Sequence, residues 1–536
     1  MSVQGLVQNH TLELLRELLF VPPVSVVATF SVIMIVTYAL IMTERLHKTL
    51  AALGGAVATI LAGKYFSAVY SWVPIADCVI SWMQGVPACG KPLLFTDQQV
   101  FTEMIDWPTI IIIISLVIIA TVASRSGLFE YVCVKVVKMS GGDLKRLFAY
   151  LCLVSFVLTA IIGNNPTFII ISALTLTLTR ALGVDPRPYV LGEVFVINAA
   201  SASTIVGSFV NILVSAHFNL NPGYFLSYVH FIALGAPFAA AYSAMSMVIV
   251  QKAFKEEFTV PEGREFATIR ARLLSLDEST LIENRALFNR MAVLLVLTTI
   301  GFVVAGTLNI PLYMVALVSA FAFLLLSGAD PERTLLEVDW GLVVFLVSIF
   351  IIVGGVHSTG VLETIGKSLG SLTVGNPLAT IFLTITVSGV LSGVMDNVSV
   401  TTALLYVLTP LSVNAMVLDK VVIWSLIYGA NAGASLTPIG GIPNLLAISI
   451  LERDGAPMSW KNFFKIGGPL CLVSFIMGTG LLYGLTSILG WTAMSPELFL
   501  MVLTGFMNMA GVSAGELGLP SWITTLAAYY GYTMPF

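Results

Sequence analysis

Residues 107–124, WPTIIIIISLVIIATVAS, run without a single ionisable side chain. A backbone in hydrocarbon must satisfy its own N–H and C=O groups, and a helix needs roughly 20 residues to cross a bilayer core. Val24–Thr43, His230–Val250, Met291–Asn309, Pro311–Ser327, Trp340–Gly355 and Ile466–Ile488 repeat the pattern. None alternates apolar and polar residues, so a transmembrane barrel is excluded. Charged side chains make up 10% of the 536 residues, where a soluble chain carries about 25%. The chain reads as all-α and polytopic, with the lipid bilayer as its partner and no nucleic acid. The first apolar segment is too long for a signal-peptide core and is expected to be retained as a span.

Basic residues favour the cytoplasmic ends of spans. Arg45–Lys48, Arg125–Arg146, Arg180–Arg187, Lys252–Arg290, Arg333 and Arg453–Lys465 hold 20 of the 25 Lys and Arg residues. One assignment of spans puts all six groups on a single face. The stretch 251–290 has seven basic and seven acidic residues and reads as a cytoplasmic linker. Five cysteines, at 78, 89, 133, 152 and 471, have no metal-ligand spacing. Cys78 and Cys89 share one segment and are able to pair only in an oxidising compartment. No cofactor motif is present. GVLETIGKS (360–368) has one residue too many between its glycines for a phosphate-binding loop, and the chain is not read as an enzyme.

The chain also repeats itself. Asp106-Trp107 and Asp339-Trp340 lie 233 residues apart, each followed by a similar SGLFE or TGVLE. Asn165 stands opposite Asn397, and NAASASTIVGSFVNIL (198–213) aligns without gaps to NAGASLTPIGGIPNLL (431–446), which pairs Asn198 with Asn431 and Asn211 with Asn444. Under the orientation above, the two repeats have inverted topology. The domains expected are an N-terminal arm with two spans and an external segment (1–105), transport repeat 1 (106–250), the linker (251–290), connecting spans (291–338), transport repeat 2 (339–488) and a C-terminal helix and tail (489–536).

Each repeat contains two interruptions. Gly163-Asn164-Asn165-Pro166 separates apolar arms, and proline cannot continue a helix whereas Asn caps one. The arms suit a re-entrant helical hairpin, and 378–413 forms the second, with Asp396-Asn397 at its tip. AASAST (199–204) and AGASLTP (432–438) suit the unwound centres of two broken transmembrane helices. Half-helix ends offer N–H dipoles to anions and carbonyls to cations. Candidate substrate-binding residues are Asn164, Asn165, Thr167, Asn198, Ser201, Ser203, Thr204, Asn397, Ser399, Asn431, Ser435 and Thr437. Intramembrane carboxyls are functional candidates by default, so Asp396 and Glu193 are the candidate proton-coupling groups. Two bland readings stand beside them: Asp396 as a helix cap, and Glu193 paired with Arg187. His217, His230 and His357 are expected at helix ends.

At GNNPT, MDNVSVTT, NAASASTIVG and NAGASLTPIGG the chain resembles the ion transporter superfamily, in particular its arsenite permease, P protein and NhaD-type antiporter branch. The resemblance implies a secondary transporter of a small inorganic ion in the cell membrane, coupled to H+ or Na+, with amide and hydroxyl side chains lining the site. Proton-coupled arsenite or antimonite efflux is the first expectation. Sodium/proton antiport is the alternative, and a passive channel or a permease subunit driven by a soluble ATPase is the third reading. The resemblance also implies a homodimer.

The orientation makes a prediction. In a cysteine-free background, Lys91→Cys reacts with a membrane-impermeant maleimide in intact cells, and Lys255→Cys reacts only after permeabilisation. The opposite pattern would invert the topology.

Overall fold

The computed structural model describes residues 24–42, 46–70, 95–219, 226–258, 284–308, 310–362, 364–366, 368, 376–414 and 419–488. Cys78, Cys89, most of the segment 67–105, the core of the expected linker and the tail from 489 lie outside them. Ten of the helices within them are long and apolar enough to cross a membrane.

In chain order the main helices are α1 (Val24–Met42), α2 (Lys48–Tyr70), α3 (Trp107–Ser124), α4 (Leu128–Ser140), α5 (Leu144–Ile162), α6 (Asn164–Leu182), α7 (Arg187–Ala200), α8 (Phe209–Asn219), α9 (Ala236–Ala253), α10 (Arg285–Leu308) and α11 (Leu312–Ser327). The order continues with α12 (Trp340–His357), α13 (Pro377–Val394), α14 (Asn397–Asn414), α15 (Asp419–Gly433), α16 (Ile442–Arg453) and α17 (Trp460–Ile488). Among the described residues there are no strands. Much of the surface of α1, α10 and α11 is bare aliphatic and aromatic side chain, including Ile35, Leu297, Val318, Phe321 and Leu325. Such surface is stable against lipid and costly against water.

The described residues fall into two compact units. The first gathers those of Met1–Trp107, Asp339–Val374 and Thr402–Asn414. Its core is made where helices approach at glycines. A Cβ on Gly355 of α12 would lie 2.4 Å from Thr59 and 3.1 Å from Phe30, and one on Gly55 of α2 would overlap Thr37. Phe30 sits 5.8 Å from the Phe95 ring and 6.3 Å from Phe66. Asp339 caps α12 by accepting from the Leu342 N–H at 3.0 Å.

The second unit, comprising Pro108–Val338, Gly375–Thr401 and Ala415–Phe536, contains every candidate site residue. α5 and α6 form a helix pair that turns on one residue, Gly163, whose φ of +86° is open to glycine at little cost. α13 and α14 turn on Met395-Asp396. Both broken helices occur where the small-residue runs predict them. α7 ends at Ala200, two short 3-10 turns follow around an extended Thr204, and α8 begins at Phe209. α15 ends at Gly433, Thr437 is extended, a 3-10 turn spans Pro438–Gly440, and α16 begins at Ile442.

One long helix braces each break. The run entering α9 has a π-helical turn over Phe231–Gly235, which ends at Gly235 and is followed by Pro237. α17 carries Gly467 and, two residues on, Pro469. A Cβ on Gly235 would stand 2.0 Å from the Ala202 carbonyl oxygen, and one on Gly467 would stand 2.1 Å from that of Ser435. The bracing helices thus touch bare backbone, and only glycine allows it. Gly207 and Gly440 meet Ser201 O and Ala434 O in the same way, at 2.7 and 2.5 Å.

Gly235→Ala and Gly467→Ala are each expected to cost about 1–3 kcal/mol, as overpacked sites do. Thermal unfolding in detergent measures this against Gly484→Ala, where nothing lies within 4 Å. A Gly235→Ala protein as stable as wild type would contradict the close approach.

Candidate functional site

A helix interrupted away from water leaves carbonyls and N–H groups that must find other partners. Here the asparagines supply them. Asn211, fully buried on α8, donates through Nδ2 to Ser201 O at 2.6 Å and Thr204 O at 2.7 Å. Asn444, fully buried on α16, donates to Ala434 O at 2.6 Å and Thr437 O at 3.0 Å. Each asparagine closes the break just before it.

The remaining oxygen of each is claimed by the other half of the chain. Asn198 donates to Asn444 Oδ1 at 2.9 Å and to the Ser435 hydroxyl at 3.2 Å. Asn431 donates to Asn211 Oδ1 at 2.9 Å and to Ile427 O within its own helix. The two breaks are therefore joined by a pair of reciprocal amide bonds. Among the described residues, no donor reaches the buried Asn431 Oδ1.

The tips are tied to the breaks by threonine. Thr204 Oγ1 donates to Ala160 O at 2.8 Å, just before the first tip. Thr437 Oγ1 donates to Gly393 O at 2.5 Å, just before the second. Tyr228 adds its hydroxyl to Ala160 O at 3.2 Å. Behind the second break, Tyr242 Oη and Cys471 Sγ both reach Ala432 O, at 3.2 and 3.1 Å. Tyr428 reaches Leu234 O at 2.8 Å, in the π-helical turn.

At the first tip, Asn164 Oδ1 accepts from the Asn165 N–H at 2.9 Å, and the Thr167 hydroxyl donates to Gly163 O at 2.7 Å. Ser201 and Ser203 donate to Ile197 O and Ala200 O, so their hydroxyls brace the break. At the second tip, Asp396 Oδ1 accepts from the N–H groups of Val398 (3.1 Å) and Ser399 (3.2 Å) and lies 3.4 Å from the Ser399 hydroxyl. That is the geometry of an N-cap. By helix register Asp396 stands opposite Gly163 and Asn397 opposite Asn164, each the first helical residue, which moves the sequence pairing of Asn165 with Asn397 by one position. Asn397 is buried.

Glu193 is fully buried on α7 and accepts from the Thr175 hydroxyl at 2.5 Å. It does not pair with Arg187, whose partner is Asp185 at 2.5 Å. His230 is buried rather than interfacial, with Nδ1 against the Ser227 N–H at 3.0 Å. At other ends of the same unit, Arg180 pairs with Asp454 and Arg125 with Glu337. Among the described residues, no group of three His, Cys, Asp or Glu side chains stands together as a metal site.

The structure thus gathers Asn198, Ser201, Thr204, Asn431, Ser435 and Thr437 around the two breaks, with Asn164, Asn165, Thr167, Asp396, Asn397 and Ser399 at the tips tied to them. Ser203 faces its own helix end. Asn211 and Asn444 escape the sequence reading as site residues, although their matched offset was visible. The spacing of each to its break, 7 and 10 residues back in both halves, is the signal that could have found them.

The model of a family described as Citrate transporter (CitMHS) matches residues 38–427. The 46 kDa membrane protein of Mycobacterium leprae is 27% identical over 447 residues, covering 83% of this chain and 95% of its own. The P protein of Homo sapiens is 24% identical over 524 residues, covering 85% of this chain and 59% of its own. Among solved structures, the YdaH transporter of Alcanivorax borkumensis shares the fold with a TM-score of 0.52 at 12% identity, covering 81% of this chain and 99% of that one.

If the two halves are joined through the amides, Asn198→Ala and Asn444→Ala should not act independently. Each single change is expected to slow transport, and the double change to be no worse than the worse single, with a coupling of about 1–3 kcal/mol. Additive losses in a double-mutant cycle on initial flux would show that the bridge carries no function.

Proposed function

Because this chain belongs to the citrate transporter family, an assembly of integral multi-pass secondary transporters, we propose that it couples proton movement to the transfer of a small oxyacid, with arsenite and antimonite the first candidates. The observation that carries this reading is the chemistry of the joined breaks. Residues 160–167, 198–211, 393–401 and 430–444 contain no Lys or Arg. Binding then comes from amides, hydroxyls and the N-terminal ends of α6, α8 and α16, which favour partial or single negative charge, that of α14 being capped by Asp396. Asn431 Oδ1, buried with no donor among the described residues, suits a solute that brings an O–H of its own. A protonated oxyacid offers both features.

A citrate-like carboxylate is the second reading, supported by the family's description. It offers a hydroxyl as well, but its several charges call for more compensation than neutral amides give. Sodium is a weaker candidate. The break carbonyls of Ser201, Thr204, Ala434 and Thr437 already accept from Asn211 and Asn444, which makes them poorer cation ligands. Asp396 and Glu193 are the two carboxyls at hand for the coupling proton. One proton moving down 100 mV supplies about 2.3 kcal/mol, enough for uphill transfer of one solute.

The test is flux in proteoliposomes of the purified chain under an imposed pH step, with arsenite, antimonite, citrate and sodium added separately. The proposal expects arsenite or antimonite to accumulate uphill without ATP. Uphill citrate alone would favour the second reading, and collapse of the pH gradient by sodium alone would favour sodium/proton antiport. Solute flux that is only downhill would make the chain a channel or the membrane subunit of an ATPase.

A further inference from the structure

The structure treats the two membrane carboxyls very differently. Asp396 Oδ1 is engaged by two backbone N–H groups and lies near a hydroxyl, all within the first turn of α14. Its contacts are those of a residue that starts a helix. Losing it would leave end donors of that helix without an acceptor.

Glu193 starts nothing. It lies in the middle of α7, with no exposed surface. Its Oε1 takes the hydroxyl of Thr175, which comes from α6, the arm that leaves the first tip. Its Oε2 is buried and, among the described residues, has no hydrogen-bond partner. An isolated ionised carboxylate in such surroundings costs several kcal/mol, so a group of this kind persists where its protonation state is part of the function.

The neighbours offer no compensating charge. Beside Glu193 on α7, α5 approaches so closely that a Cβ on Gly192 would stand 2.1 Å from the Phe148 ring and 3.4 Å from Cys152 Sγ. Cys152 is buried and carries no charge at neutral pH as a thiol. Arg187, at the start of the same helix, is held by Asp185, and Arg180, at the far end of α6, by Asp454. Among the described residues no cation pairs with Glu193.

Position gives this carboxyl its leverage. Five residues further along α7 lies Asn198, whose amide reaches Ser435 and Asn444 in the other half. The Glu193–Thr175 bond therefore fastens the arm of the first tip to the helix that carries the cross-chain amide bridge. The second half has no counterpart. Leu426 stands 233 residues on and is buried.

We propose that Glu193 is the group that takes up and releases the coupling proton, one per chain, while Asp396 serves as the cap of α14. This rests on the proton-coupled reading above. The proton is gained and lost at Oε2, and no other bond to the carboxyl is made or broken. Thr175 is the positioning residue that ties the proton's arrival to the first hairpin.

The test uses the full-length protein in vesicles, with arsenite, antimonite and citrate as probes, and separates exchange from accumulation. Exchange of solute across the membrane needs binding and conformational change but no net proton movement. A one-unit pH step sustains about a tenfold gradient for one-for-one coupling. Wild type is expected to approach that gradient. Glu193→Gln should hold the internal concentration level with the external one while still exchanging labelled solute, and Glu193→Asp should restore part of the pH response. Asp396→Asn should lower exchange and accumulation together. Accumulation by Glu193→Gln equal to wild type would overturn the role of Glu193 and leave the coupled reading intact. Wild-type flux that ignores the pH step for every probe would sink both. Loss of exchange in Glu193→Gln and Glu193→Asp alike would make the residue structural and would also overturn the proposal.

Discussion

An interrupted helix inside a membrane protein exposes carbonyls that water cannot reach, and leaving each unpaired would cost on the order of 1–3 kcal/mol. In this chain the solution is local and reciprocal. One asparagine per half, Asn211 or Asn444, turns its amide N–H groups onto its own break. Its oxygen then accepts from an asparagine of the opposite half. The same four side chains satisfy both breaks and hold them side by side. Nearly everything else in the second unit can be read as support for that arrangement.

Thr204 and Thr437 extend the ties from the breaks to the helix tips, and Gly235 and Gly467 let long helices press against the bare backbone. The side chains that join the two breaks are amides and hydroxyls, all buried. The halves are not identical: Glu193 has no carboxyl counterpart in the second half, where Leu426 stands 233 residues on, and Asp396 has none in the first, where Gly163 stands.

Much of this was legible in the sequence because physics leaves coarse marks there. Apolar length announces spans, proline and small residues announce interruptions, and the constant offset of about 233 positions announces that the interruptions come in matched pairs. Individual roles were harder to read. An asparagine within a short apolar helix looks ordinary until the helix before it breaks and frees carbonyls 7 and 10 residues back. Thr175, 18 residues from Glu193, becomes its partner only because α6 and α7 pack together. Asp396 at its polar tip reads from sequence as a coupling acid or a cap alike, and only the fold shows which N–H groups it accepts from. The Gly-x-Pro of 235–237 and 467–469 was a visible repeat whose meaning lay in a backbone contact.

The most direct measurement is a cryo-EM structure of the chain in lipid nanodiscs. It should show residues 201–208 and 434–441 as non-α-helical, with the Asn198 amide in hydrogen-bond reach of Asn444 and that of Asn431 in reach of Asn211. Continuous α-helix through either stretch, or asparagine pairs standing apart with lipid or other side chains between them, would contradict the account.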